Sequence, residues 1–144
     1  MAGRFLLALD QSTQSTKAFV LDASGAIAAK AARPHRQYYP EAGRVEHDPT
    51  EILANARAAL AEAVESAGID PADIAALCVT NQRETIVAWD AETGRPLHNA
   101  LVWQDDRGAP LCAELEARGY GPLVRGRTGL AIDPYYSASK LAWL

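Results

Sequence analysis

Phe5-Leu6-Leu7-Ala8-Leu9-Asp10-Gln11-Ser12-Thr13-Gln14-Ser15-Thr16-Lys17-Ala18-Phe19-Val20-Leu21 decides how the chain begins to fold. Phe5 to Leu9 is fully apolar and reads as a buried strand. Gln11 to Thr16 is polar and rich in hydroxyls, which suits a tight turn. Lys17 to Leu21 returns as a second strand, and Asp22-Ala23-Ser24-Gly25 is a turn signal. Ile27 to Arg33 then completes an antiparallel meander. Pro34 to Val45, with Pro34, Pro40 and Gly43, reads as a loop.

The clearest element downstream is a helix from Pro49 to about Ala67. Asp48 is its expected N-cap, Pro49 takes the first helical position and Glu51 is placed to complete a capping box. Ile52, Ala56, Leu60, Ala63, Val64 and Ala67 recur at helical spacing, and Gly68 supplies a left-handed stop. Ile74 to Val79 predicts a buried strand with a polar end at Thr80-Asn81-Gln82. Ile86 to Asp90 and Ala100 to Val102 predict further strands, with a turn at Glu92-Thr93-Gly94. Arg107 to Arg118 and Leu123 to Arg127 predict helices. A meander, a helix and a buried strand make an α/β chain with a mixed sheet and flanking helices.

The 144 residues suit one domain spanning 1–144, and 49% hydrophobic residues suit a packed core. Fourteen Lys and Arg against eighteen Asp and Glu give a net charge of −4, so no basic surplus exists for nucleic acid or anionic membrane. Phe5 to Leu9 is too short a run for a secretory signal, and no stretch is long enough to span a bilayer. Cys78 and Cys112 are distant from each other in apolar surroundings, which fits two unpaired thiols in a reducing cytoplasm. Cys78 is read as a buried small hydrophobe. His35 and His98 lack a partner at ligand spacing, and His47 beside Asp48 helps shape a loop.

Four stretches carry chemistry. Asp10 to Lys17 sets a carboxylate, a hydroxyl-rich turn and a cation in succession. Backbone N–H groups and hydroxyls there can wrap phosphate oxygens, and Asp10 can hold a hydrated Mg²⁺; the stretch equally suits a polar hairpin with no ligand. Thr80 to Thr85 follows a strand at the edge where α/β sheets place ligands, and Arg83 with Glu84 offers donors and acceptors to a polyhydroxylated molecule; a solvated ion pair is the alternative. In Trp103-Gln104-Asp105-Asp106-Arg107 the indole can cover C–H groups of a polyol, or be a core Trp beside a helix capped by Asp105 or Asp106. In Asp133-Pro134-Tyr135-Tyr136-Ser137 a Tyr hydroxyl can orient a substrate oxygen or simply pack.

In order along the chain, Ala8-Leu9-Asp10-Gln11, Gly43-Arg44-Val45-Glu46-His47-Asp48-Pro49, Thr80-Asn81-Gln82-Arg83-Glu84-Thr85, Val102-Trp103-Gln104, Thr128-Gly129-Leu130 and Ile132-Asp133-Pro134-Tyr135 resemble the N-terminal part of the FGGY family of carbohydrate kinases, and within it the kinases that act on glycerol. The resemblance implies an actin-like, ribonuclease-H-like ATPase domain and phosphorylation of glycerol to glycerol 3-phosphate with ATP and Mg²⁺. It implies that Thr13, Gln14, Ser15 and Lys17 face the ATP phosphates and that Asp10 holds Mg²⁺ through water. Arg83 and Glu84 match positions that bind glycerol hydroxyls, Trp103 one that covers the carbon skeleton and Tyr135 one that adds a hydrogen bond. Three residues depart from the family pattern: Ser12 stands for a usual Gly, Gln14 for a usual Thr, and Lys17 for the Arg usual in glycerol kinases.

Other expectations follow from the same likeness. The apolar stretch from Tyr135 to Leu144 resembles the start of a family signature, so a longer, homo-oligomeric protein with a second domain is expected. No catalytic base is expected within these residues: it is an Asp beyond residue 144, and residues 1–144 alone should be inactive. Two other activities suit the same residues. One is a kinase of another polyol or a pentulose, against which the Asn81-Gln82-Arg83-Glu84 run favours glycerol. The other is a non-catalytic actin-like nucleotide-binding module, which needs no polyol cluster.

Overall fold

In the computed structural model, which describes residues 4–144, strand β1 (Phe5–Gln11) turns back into β2 (Ser15–Asp22), so both strands extend further into the polar loop than their apolar cores. The first three residues of the expected domain lie outside the described residues. Asp10 lies opposite Lys17 and Gln11 opposite Thr16. The next turn is built by Asp22, whose Oδ1 accepts from the Ser24 and Ala26 N–H groups at 2.8 and 3.0 Å, while Gly25 takes a φ of 84°. β3 (Ile27–Pro34) completes the expected meander.

Helix α1 (Pro49–Ala67) has the residue bounds its caps predict. Asp48 Oδ1 accepts from the Thr50 N–H at 2.7 Å, and Gly68 closes the helix at φ 62°. The capping box is only half formed. Glu51 turns its Oε1 to the Arg36 N–H at 3.0 Å, because the chain entering from β3 presents an unsatisfied donor there. A 3₁₀ turn (Pro71–Asp73) leads into β5 (Ile74–Asn81), which runs parallel to β1 with Asp10 beside Thr80 and Gln11 beside Asn81. The mixed sheet has the order β3-β2-β1-β5.

The chain divides into two compact units. One contains the residues up to Arg36 and Asp48–Gln82; the other contains Gln37–His47 and Arg83–Leu144. The core of the first is the seam between the sheet and α1. Leu7, Leu9, Ala18, Val20 and Ala31 alternate inward and meet Ala59 and Ala63. The small helix residues let α1 lie close to the strands, and each buried Leu or Val contributes about 1.5–3 kcal/mol relative to exposure. Two expectations are corrected. β5 is an edge strand with Leu77 and Val79 more than half exposed, and Cys78 is exposed with them. In β1, Leu6 is also exposed, since α1 covers only one face of the sheet.

The second unit pairs β4 (Glu46–His47) with β6 (Ala100–Leu101) and carries α2 (Ala109–Ala117), α3 (Gly121–Thr128) and α4 (Ser137–Trp143). The expected strand over 86–90 survives as bridges of Ile86 to Leu101 and Trp89 to Pro96 around the Glu92-Thr93-Gly94 turn. Asp90 Oδ1 organises that turn, accepting from the Thr93 N–H at 2.7 Å. Among the described residues no helix is long and apolar enough to cross a membrane.

Behind the β1–β2 turn lies a buried histidine whose lack of partners in the sequence was misleading. His35 donates its main-chain N–H to the Gln14 carbonyl at 2.9 Å. Its Nε2 lies 2.9 Å from Gln11 Nε2 and 3.0 Å from Thr16 Oγ1, and its Nδ1 lies 3.2 Å from Asn55 Nδ2. Burial lowers the imidazole pKa below its ordinary 6.5, against an opposing pull from Glu51. Protonation would make both ring nitrogens donors, facing two amide NH₂ groups. A folded value below the unfolded one means that this stabilisation is present above about pH 6.5 and fades as pH falls through that value. In urea unfolding between about pH 7 and about pH 5.5, above the range where carboxylates titrate, His35→Gln is expected to lose less stability than the wild type. Equal losses would refute the assignment.

Candidate functional site

In the first unit, the carboxyl ends of the parallel strands β1 and β5 and the 12–14 turn occupy one edge of the sheet. The turn is closed by the Ser12 N–H donating to the Ser15 carbonyl at 3.0 Å. Ser12 has no left-handed φ, so a serine stands where the family usually has glycine without backbone strain. Its hydroxyl donates to Asp10 Oδ1 at 2.6 Å, and Lys17 Nζ lies 3.6 Å from Asp10 Oδ2. Asp10, Ser12, Thr13, Ser15 and Lys17 are half-buried, and Gln14 is exposed at the tip. This edge therefore presents hydroxyls, an ammonium and one carboxylate together. Among the described residues no three His, Cys, Asp or Glu side chains converge as a metal cluster. Asp10 is the one carboxylate at this edge, and one carboxylate together with phosphate oxygens and water is a donor set that Mg²⁺ accepts.

Gln82, the residue before Arg83 in the polar run, donates from Nε2 to Gln11 Oε1 at 3.1 Å and extends the His35 network of the first unit. Residue 83 begins the second unit.

There, Glu84 has a φ of 62°, and no other non-glycine among the described residues has a positive φ. Such a conformation costs about 1–3 kcal/mol and must be held by its surroundings. Ser137 provides the hold: its N–H and hydroxyl donate to Glu84 Oε2 at 2.9 and 2.8 Å. Glu84 Oε1 has no hydrogen-bond partner among the described residues, and Arg83 is exposed with no hydrogen bond or ion pair among them. The Trp103 N–H donates to Thr85 Oγ1 at 3.2 Å, which ties the tryptophan to the same strand end. The half-buried Trp103 ring meets Tyr135 edge-to-face at 5.9 Å, and Tyr135 meets Tyr136 at 5.2 Å. The structure thus gathers Glu84, Trp103 and Tyr135, with Arg83 as chain neighbour of the first. An acceptor, a free guanidinium and an aromatic surface with a phenol on its rim can hold a small polyhydroxylated molecule.

A buried ion network fixes the Trp103 segment from behind. Arg107 donates from Nε to Asp105 Oδ1 and from Nη2 to Glu46 Oε1, both at 2.7 Å, and Asp105 Oδ2 accepts from the Val45 N–H at 2.7 Å. Burial pushes the carboxyl pKa values of Asp105 and Glu46 up, but the bonds and charge of Arg107, joined by the Val45 N–H at Asp105 and by Asn99 at Glu46, together outweigh it and hold both below the usual range. Burial likewise opposes the charge on Arg107, yet the two carboxylates raise its pKa. The sequence offers Asp105 or Asp106 as a helix cap, and neither side chain caps α2. The position preceding α2 is Gly108, with no side-chain cap, because the carboxylate of Asp105 is already committed to Arg107 and Val45. Read from sequence, Ser137 and Lys140 have no role of their own, although both stand in the stretches that contain Tyr135; that proximity was the available signal.

Residues 5–144 match the N-terminal domain of the FGGY family of carbohydrate kinases. The chain is 51% identical over all of its 144 residues to the glycerol kinase of Chromobacterium violaceum, of which it covers 29%. It is 55% identical over 140 residues, 97% of the chain, to the glycerol kinase of Leptothrix cholodnii, of which it covers 28%. Among solved structures, Plasmodium falciparum glycerol kinase with ADP superposes with a TM-score of 0.89 at 35% identity over 99% of this chain and 29% of that one. Rhodospirillum rubrum xylulose kinase superposes with a TM-score of 0.88 at 31% identity over 97% of this chain and 28% of that one. The chain spans under a third of the length of these relatives. The mixed sheet, the matched residues and these likenesses agree: the chain belongs to the FGGY family of carbohydrate kinases and carries its N-terminal domain.

Proposed function

We propose that the chain is the substrate-holding and phosphate-holding part of an ATP-dependent glycerol kinase, which moves the γ-phosphoryl group of ATP to a terminal hydroxyl of glycerol. The observation that carries this reading is the cluster of Glu84, Trp103 and Tyr135 beside an unpaired Arg83. Relatives named glycerol kinase at 51% and 55% identity support glycerol as the polyol, and the ADP of the Plasmodium falciparum structure supports the nucleotide.

Phosphoryl transfer depends on positioning and charge neutralisation more than on covalent participation by the protein. Arg83 donates to glycerol oxygens and Glu84 Oε1 accepts from a hydroxyl. Trp103 covers the carbon chain and Tyr135 adds a hydrogen bond at its edge. Thr13, Gln14 and Ser15 bind phosphate oxygens through their N–H groups and side chains, and Lys17 adds positive charge. Asp10 would hold Mg²⁺ through water, and the ion would supply charge neutralisation on the phosphates. Glu84 is committed through Oε2 to Ser137, which suits holding a hydroxyl and not abstracting its proton. The general base is proposed to be an Asp beyond residue 144. A cytoplasmic location, with glycerol and ATP as small-molecule partners, belongs to the same proposal.

Two measurements on the whole protein test it. Arg83→Ala leaves hydroxyls of the bound polyol without donors, at about 1–3 kcal/mol. The glycerol KM is therefore expected to rise about tenfold or more with a smaller change for ATP. Unchanged glycerol KM and kcat would remove Arg83 from the site, and a larger response to a pentulose than to glycerol would select the sugar-kinase alternative. Glycerol is also expected to change tryptophan fluorescence, and Trp103→Phe to abolish most of that change. Trp89 and Trp143, both partly exposed, are the controls. A signal that survives in Trp103→Phe would place the polyol elsewhere.

A further inference from the structure

We infer that α4 is a clamp whose Ser137 and Lys140 position the two polyol-holding residues Glu84 and Tyr135; the inference rests on the function proposed above. Lys140 is fully buried, an unusual place for an ammonium-bearing side chain. Its Nζ donates to two successive main-chain carbonyls, Pro134 at 2.7 Å and Tyr135 at 2.6 Å. The Tyr135 N–H donates in turn to Asp133 Oδ1 at 2.7 Å. All three main-chain polar atoms around Tyr135 are thereby occupied, while the residue stays 40% exposed and its ring meets Trp103. Two adjacent carbonyls can share one amine only if the peptide between them is turned toward it, so Lys140 sets the backbone angles that aim the ring.

The first turn of α4 does the same for Glu84. Ser137 occupies Oε2 with two donors and leaves Oε1 available, and it also approaches the Glu84 carbonyl at 3.4 Å. A glutamate with a left-handed φ has no intrinsic preference for that pose, so its orientation is borrowed from Ser137. α4 can act as a strut because its far side is fixed. A Cβ on Gly108 would collide with Ser139, so α2 and α4 approach as closely as their atoms allow there. The Arg107 guanidinium lies 4.4 Å over the Trp143 ring at the other end. Burial lowers the Lys140 pKa, with Asp105, Glu84 and Asp133 opposing, which is consistent with an amine kept for main-chain bonds and away from water.

The test uses Lys140→Met, close in length but without donors, and Ser137→Ala, in the whole protein. Two quantities are read: the KM values for glycerol and ATP, and hydrogen exchange at the Tyr135, Tyr136 and Ser137 amides. Lys140→Met is expected to raise the glycerol KM about tenfold with the ATP KM within about twofold, and to speed exchange at those amides about tenfold. Ser137→Ala is expected to raise the glycerol KM about threefold or more with the same selectivity, and it decides the matter if Lys140→Met does not fold. A structural role alone would lower the thermal midpoint and move both KM values together or neither, and either result overturns the clamp. If the wild type phosphorylates no polyol, the proposed function falls, and the clamp is judged by exchange alone: unchanged protection in Lys140→Met overturns it, and faster exchange confined to 135–137 supports it.

Discussion

The buried guanidinium of Arg107 is the interaction on which the second unit depends. It joins residues 37–47, through Glu46, to residues 83–144, through Asp105, and so makes one unit from two stretches of chain separated by α1 and β5. Removing one partner from such a pair typically costs about 3–5 kcal/mol, because a charge is left in the interior. Hydrophobic residues of similar volume often stabilise a fold as well, so the reason to keep ions here is geometric. The carboxylate of Asp105 fixes the Val45 N–H, and Asn99 adds a donor to Glu46 at 3.0 Å. The short strand pair β4–β6 then holds its register with only two residues on each side. Trp103 follows directly on this anchored segment.

Elements governed by local rules were legible in the sequence. The meander follows from alternation and turn residues, and α1 is bounded by Asp48, Pro49 and Gly68, each acting through its own backbone. The residues proposed for the site were named from the sequence because Asp10, Arg83-Glu84, Trp103 and Tyr135 stand in family motifs, whereas Ser12, Gln14 and Lys17 depart from them. What was not legible depends on neighbours distant in sequence. An apolar run such as Ile74 to Val79 has the same letters on an edge as in a sheet centre, and the exposure of Cys78 follows from that position alone. Asp105 looks like a helix cap until Arg107 and Val45 claim its oxygens. His35 looked isolated because its partners, Gln11, Thr16 and Asn55, approach from β1, β2 and α1.

The two units solve one physical problem in the same way. A group meant for a ligand must be exposed, yet exposure gives a side chain freedom that binding must then remove. In the first unit the Gln14 carbonyl is held from behind by the His35 N–H, while the Gln14 side chain at the tip stays exposed. In the second, the carbonyls of Pro134 and Tyr135 are held by Lys140 and one oxygen of Glu84 by Ser137, while the Tyr135 ring and the other Glu84 oxygen remain available. In both places the residue doing the holding is buried or half-buried, and the residue being held is one that the proposed function assigns to a ligand.

That arrangement also accounts for where polar groups have been taken out of water. A buried histidine, a buried lysine and a buried arginine are each costly unless hydrogen-bonded, and a core of this size could be filled with apolar side chains instead. Each lies directly behind a stretch that the family resemblance assigns to ligand contact: His35 behind the 12–14 turn, Arg107 behind the Trp103 segment, Lys140 behind Tyr135. Apolar packing resists compression but does not direct a peptide plane, whereas Lys140 does so through the Pro134 and Tyr135 carbonyls; His35 holds the Gln14 carbonyl only through its main-chain N–H, and Arg107 acts through the carboxylates of Asp105 and Glu46. The buried ammonium of Lys140 is therefore best understood as the means by which the second unit gives the exposed Tyr135 a fixed direction.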